Sequence, residues 1–160
     1  MTTWRKRWKS DKGGALMELA LSLPLLIILF AGTADFARAF YTSMSLTDAA
    51  RAGAQFGSYN AAQTGNFTGM QATAQAATSL TGVAANATRL CQCADDAGVF
   101  TPTATANDCV SPEATSCPGR HRVVTVTVQT SKVFNSILGG LPSFMRTLVI
   151  TRSATMRAMQ

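Results

Sequence analysis

With 160 residues, the chain has room for at most one modest domain and an anchor. It carries 14 lysines and arginines against 8 acidic residues, a net charge of +6. Position matters more than the total, because Arg5, Lys6, Arg7, Lys9 and Lys12 all precede Gly13 and only Asp11 opposes them. Such a basic flank is typical of the cytoplasmic side of a membrane protein. The charge therefore does not favour a nucleic-acid-binding patch, and no nucleic-acid partner is expected.

A long apolar run follows this flank. Residues 13–34 contain one ionisable side chain, Glu18, and the 16 residues from Leu19 to Ala34 carry no charge. As a helix, residues 13–34 would span about 33 Å, close to the thickness of a bilayer core. Pro24 lies inside the run and predicts a kink rather than a stop, since membrane helices tolerate proline. We expect a membrane helix with the N-terminus in the cytoplasm, where Trp4 and Trp8 suit the headgroup region.

The helix is expected to continue beyond the membrane to about Gly57. Asp35 with Arg38, and Asp48 with Arg51, are spaced three apart and predict two ion pairs on the helix surface. Small and aromatic residues recur at helical spacing, at Phe36, Ala39, Phe40, Ser43, Thr47, Ala50, Gly53 and Ala54. Small residues allow close helix packing. This stripe predicts a packing face, directed to the chain's own head, to a neighbouring subunit, or to each of them at different levels of the helix.

Four cysteines, Cys91, Cys93, Cys109 and Cys117, lie in the part of the chain beyond the membrane. An even number in a small extracytoplasmic domain favours disulfides over zinc, whose ligands usually come in closely spaced pairs. Three pairings are possible. If Cys91 and Cys93 lie on one strand they cannot easily bond to each other. Cross-pairing is then favoured, and we expect the nested arrangement Cys91–Cys117 and Cys93–Cys109.

The remaining pattern predicts an α+β fold, in which a long N-terminal transmembrane helix extends into a small globular head with a second helix and a small antiparallel sheet. Residues 69–81 favour the second helix, with a low-complexity linker as the alternative. Residues 88–94, 122–130 and 147–156 favour strands, and residues 95–119 a long polar loop. Apolar residues between 134 and 145 either cover the sheet or form an exposed patch for a pilin partner or the membrane surface.

A family resemblance is carried by two stretches of the N-terminal half. A glycine, four residues, a glutamate and then an apolar run, from Gly13 through Glu18, is the pattern of type IV pilin-like precursors. The segments from Gly32 to Tyr41 and from Leu46 to Ala54, with Asp35-Phe36-Ala37-Arg38 and Ala49-Ala50-Arg51-Ala52-Gly53-Ala54, resemble the TadE-like minor pseudopilins of the tight-adherence (Tad) pilus. Asp35 stands where glutamate is commoner. The residues do not separate this family from its TadF-like sibling.

The resemblance implies cutting by a prepilin peptidase between Gly13 and Gly14, which makes Glu18 the fifth mature residue. It also implies that Glu18 meets the new amine of Gly14, on a neighbouring subunit or its own chain, and sets the axial register. A glutamate at the cytoplasmic interface that reaches back to water is the alternative. The expected organisation is a cytoplasmic leader at 1–13, a helix at 14–57 with 14–34 in the membrane, and an extracytoplasmic head at 58–160.

By this resemblance the protein is a minor pseudopilin of the bacterial inner membrane, single-pass, with its head periplasmic or extracellular. Its expected partners are the membrane, the prepilin peptidase, other Tad pilins and pseudopilins, and the pilus assembly platform. Two alternatives remain: a secreted protein with a signal peptide ending near Ala37-Arg38-Ala39, and an uncleaved anchored protein with a disulfide-bonded binding head. The sequence shows one histidine and no phosphate loop or catalytic constellation, so we predict neither an enzyme nor a cofactor.

Overall fold

The computed structural model describes residues 12–103, 107–137 and 147–158. The basic leader with Trp4 and Trp8, and residues 138–145 of the predicted apolar connection, lie outside this range.

The first helix, α1, runs without interruption from Lys12 to Ser58. It continues through Pro24, as predicted, so this proline does not end the helix. Two hydroxyls in the apolar part bond to backbone carbonyls of their own helix: Ser22 donates to Leu19 at 3.2 Å and Thr33 to Leu29 at 2.8 Å. These polar groups are therefore satisfied within the helix, which suits an apolar surrounding.

A sheet of four antiparallel strands forms the head in the described residues, in the order β2-β1-β3-β4. The strands are β1 (Ala84–Ala94), β2 (Phe100–Pro102), β3 (His121–Asn135) and β4 (Thr147–Arg157). A short helix, α3 (Glu113–Ser116), precedes β3. With α1 and a second helix this confirms the predicted α+β class. The segment 95–119 is not all loop, since it contains β2 and α3.

The second helix, α2, spans Phe67–Ala76, earlier than the predicted 69–81. The side chain of Asn66 accepts a hydrogen bond from the backbone N–H of Gly69 at 2.9 Å and so caps the helix start. Met70 and Ala74 of this helix are fully buried, which excludes the linker alternative. Strands β1 and β3 are also longer than predicted. The whole of β1, from Ala84 to Ala94, pairs with residues 121–131 of β3. Pairing with β4 then extends β3 to Asn135.

The C-terminal part of α1 covers one face of the sheet together with helix α2. One buried cluster joins them to β1 and β3 through Ala54, Met70, Ala74, Ala87, Val126 and Val128. The crossing of the helices is close: a Cβ on Gly53 would lie 2.7 Å from the carbonyl oxygen of Met70, a distance that Cβ atoms do not tolerate. A second cluster, of Leu46, Val83 and Ile150, holds α1 to β4 nearer the membrane end of the helix.

Candidate functional site

Helix α1 divides into two parts by what its side chains contact. From Gly13 to Phe30 every described side chain is exposed, with Leu21 at 85% and Phe30 at 69%. By length and composition this is the one helix in the described chain that could cross a membrane, and its apolar window is not buried against the protein. The head does not cover this surface, so its apolar side chains are left for lipid or for other helices.

The residues predicted for processing and register lie at the start of this exposed part. A Cβ on Gly13 or on Gly14 would meet no atom within 4 Å, so packing in this chain does not require glycine there. Glu18 is exposed and lies one helical turn beyond Gly14, about 6 Å along the axis and on the same face. The carboxylate is thus within side-chain reach of an amine created at Gly14.

Asp35 marks the point where α1 begins to contact the head. Its side chain is buried, and its carboxylate accepts hydrogen bonds from the backbone N–H of Ile137, at 2.9 and 3.0 Å, and from the hydroxyl of Ser136. Arg38 Nη1 lies 3.3 Å from Asp35 Oδ1, and the Arg38 guanidinium stands 5.4 Å from the ring centre of Phe134. This carboxylate therefore ties the residues just after β3 to the helix at the first residue beyond the apolar run.

The second carboxylate–arginine pair is different in kind. Arg51 Nη1 lies 3.5 Å from Asp48 Oδ1, but both side chains are mostly exposed and contact no strand through this pair. An exposed pair of this type contributes about 0.3 to 0.5 kcal/mol. The two pairs have the same spacing in the sequence, but among the described residues it is the Asp35–Arg38 pair that contacts a distant segment of the chain.

The face of α1 that packs on the head differs from the predicted stripe in its lower half. The buried positions are Thr42, Leu46, Ala49, Ala50, Gly53, Ala54 and Gly57. Phe36 and Phe40, which the stripe includes, stack on each other with ring centres 6.5 Å apart and are 73% and 59% exposed. Within the stripe, Ala50, Gly53 and Ala54 are therefore buried against the head, Ala39, Ser43 and Thr47 are half-buried, and Phe36 and Phe40 are exposed.

All four cysteines form disulfides, but the expected nested pairing is wrong. The bonds join Cys91 to Cys109 and Cys93 to Cys117, with Cα atoms 5.5 and 5.4 Å apart. The short strand β2 explains the difference, because it carries the chain back along β1, past Cys93 first and towards Cys91. Asn107 holds the chain against β1 beyond the end of β2. Its side chain accepts a hydrogen bond from the N–H of Cys91 at 2.8 Å and donates one to the carbonyl of Arg89.

The turn after Cys109 is held by Asp108. Its carboxylate accepts the backbone N–H groups of Val110 and Ser111, both at 3.0 Å, and these bonds hold its pKa below the usual value of 3.8. A carboxyl group with a lowered pKa in the fold favours the folded state above its unfolded pKa. That contribution is lost as the pH falls through the lowered pKa. At neutral pH the ionised Asp108 carboxylate therefore stabilises this turn.

The pairing can be tested by counting free thiols in double variants. Cys91→Ser/Cys109→Ser is expected to show no reactive thiol under non-reducing, denaturing conditions, since Cys93–Cys117 remains. The matched variant Cys91→Ser/Cys117→Ser should show two. By loop closure, over separations of 18 and 24 residues, each bond is worth about 3 kcal/mol. Two reactive thiols in the first variant and none in the second would instead indicate the nested pairing.

One functional contact has no local sequence signal. The partners of Asp35, Ser136 and Ile137, lie about one hundred residues along the chain, and neither belongs to a motif. The available signal is that Asp35 is the first charge after the apolar run, where an unpaired carboxylate would be costly.

The comparison with protein families matches α1. Residues 13–55 match the model of the TadE-like protein family, and the resemblance stated from the residues is confirmed over that segment. The match covers nearly all of α1, including Gly13, Glu18, Asp35 and Asp48, and leaves α2 and the sheet outside. No curated protein and no solved structure matches the chain significantly.

Proposed function

From this TadE-like match we propose that the chain is a minor pseudopilin of a Tad-type pilus, processed by a prepilin peptidase and active in pilus assembly. The observation that carries the proposal is the exposed part of α1. A head that packs from Asp35 onward leaves residues 13–34 as an apolar rod with one carboxylate near its start. A simple anchor needs the rod but has no use for Glu18, whose insertion costs about 2.5 to 3.5 kcal/mol.

Cutting between Gly13 and Gly14 would remove the basic leader and expose an amine beside Glu18. The glycines make no packing contact in the described chain, which leaves their backbone accessible to a peptidase. The mature helix would then stay in the inner membrane, with its head on the outer side. Other pilins and pseudopilins would contact the exposed rod, and the assembly platform would receive it at the membrane.

Asp35 counts against the signal-peptide alternative. Cleavage near Ala39 would separate the head from Asp35 and Arg38, which bind Ser136, Ile137 and Phe134. A head built to be released would not be expected to depend on a carboxylate in the discarded segment. The uncleaved-anchor alternative keeps this contact but gives no role to Gly13 and Glu18.

The experiment that tests the proposal is determination of the mature N-terminus by mass spectrometry of the protein from the membrane fraction. We expect a start at Gly14. A start near Phe40 would indicate a signal peptide, and an intact Met1 or Thr2 would indicate an uncleaved anchor.

A further inference from the structure

The outer face of the sheet changes character at the end nearest the membrane helix. The side chains that face away from α1 on β3 are polar from Thr125 to Ser131, and on β4 they are polar from Thr151 to Thr155. Nearer the apolar run of α1 one pair on this face is apolar: Val133 is 51% and Val149 60% exposed, and the two are direct cross-strand partners. The last pair of the two strands, Asn135 and Thr147, is polar again. Ile137, just beyond the end of β3, is 60% exposed, and Leu148, which points to the opposite face of β4 from Val149, is 58% exposed.

These four residues, Val133, Ile137, Leu148 and Val149, are called here the apolar sheet end. It lies beside a stretch of α1 that is also apolar and exposed, with Phe36 at 73%, Phe40 at 59% and Tyr41 at 58%. Tyr41 and Val133 line the same groove and therefore lie near each other. Two elements from distant parts of the sequence therefore become apolar at one level, directly above the end of the apolar run.

The length of α1 places that level in the membrane interface. From Gly14 to Tyr41 the helix rises about 40 Å, the thickness of a bilayer with its headgroup layers. Arg38 and Arg152 flank the apolar residues, and Arg152 reaches across to Ser43 at 2.8 Å. Basic side chains around an apolar patch, with a tyrosine at the same height, suit a surface of anionic headgroups.

We propose that the apolar sheet end rests in the interfacial layer of the membrane, so that the head lies against the bilayer rather than standing away from it. This rests on the proposed anchor in residues 14–34. A second copy of the chain is the other possible occupant. Even with Phe36, Phe40 and Tyr41, the seven side chains fall well short of the roughly 20 to 30 residues per partner of a stable protein interface, which favours lipid.

Tryptophan depth measurements test the proposal on the full chain in vesicles of phosphatidylethanolamine and phosphatidylglycerol. The native Trp4 and Trp8 are replaced by phenylalanine, and one tryptophan is placed by Val149→Trp. Ser153→Trp is the matched control, on the same strand and face, about 13 Å further from the membrane. Leu25→Trp reports the span. We expect blue-shifted emission, and quenching by brominated lipids, for Leu25→Trp and Val149→Trp, and a water-like, unquenched spectrum for Ser153→Trp.

The outcomes separate this inference from the proposed anchor. If Leu25→Trp is quenched while Val149→Trp behaves like Ser153→Trp, the anchor stands and the contact of the sheet end with lipid is overturned. An unquenched Leu25→Trp overturns both. Blue-shifted emission of Val149→Trp without lipid quenching, growing with the protein-to-lipid ratio, means a second copy covers the patch and also overturns the inference. Val133→Trp, on the neighbouring strand, should repeat the result for Val149→Trp.

Discussion

Glu18→Gln is expected to leave the protein in the membrane and to prevent its assembly into a pilus. A carboxylate in the apolar layer costs about 2.5 to 3.5 kcal/mol, so the amide should insert at least as well. A carboxylate and an amine 4 Å apart attract by about 4 kcal/mol at an effective dielectric constant of 20. The attraction and the cost are of similar size, so pairing with the amine would offset the cost of placing Glu18 in the apolar layer. Losing the attraction should reduce assembly by a factor of a hundred or more, at about 1.4 kcal/mol per factor of ten.

The measurement is a count of surface pili, with the amount of the protein in the membrane fraction, in a strain whose only copy carries the variant. Ser22→Ala is the matched control, one turn further along the same exposed rod, where the hydroxyl bonds to the carbonyl of Leu19 in its own helix. The Ser22→Ala variant should assemble normally into pili. Normal pili with Glu18→Gln would remove the register role from Glu18 and favour the alternative of a carboxylate that reaches back to water.

Asp35→Ala is expected to destabilise the head by about 2 to 3 kcal/mol, because hydrogen bonds to a charged group contribute about 1.5 to 3 kcal/mol and their loss leaves polar groups unpaired. The variant removes the acceptor for the Ile137 N–H and the Ser136 hydroxyl and leaves Arg38 without its carboxylate. Asp35→Asn keeps one acceptor oxygen and should lose about half as much.

The free energy of unfolding is measured on the full chain in detergent by pulse proteolysis in urea. Asp48→Ala supplies the control, since it removes the other carboxylate of an i,i+3 pair on the same helix from a side chain that is 69% exposed. A loss of no more than about 0.5 kcal/mol is expected there. Equal losses for Asp35→Ala and Asp48→Ala would show that Asp35 is an ordinary surface residue and does not hold β3 to the helix.

The elements with strong local patterns could be predicted from the sequence. The apolar run before Asp35 and the alternation of valines around Val126 each define an element by themselves, whatever the rest of the chain does. The strand around Val126 extends beyond its predicted end, because pairing with β4 continues β3 as far as Asn135.

Contacts between distant segments could not be predicted. The pairing of Cys91 with Cys109 depends on β2, three residues that include Pro102 and carry little strand signal. The burial of Asp35 depends on where β3 ends. The exposure of Phe36 and Phe40 could not be predicted either, because helical periodicity shows which residues share a face, but not at which height the head begins.

The N-terminal residue of the mature protein tests the central claim most directly, when it is determined in cells with and without the prepilin peptidase. We predict a chain that begins at Gly14 when the peptidase is present and an uncut leader when it is absent. The same N-terminus in both strains, whether near Phe40 or at Met1, would contradict the account of α1 as a processed rod with Glu18 beside a new amine.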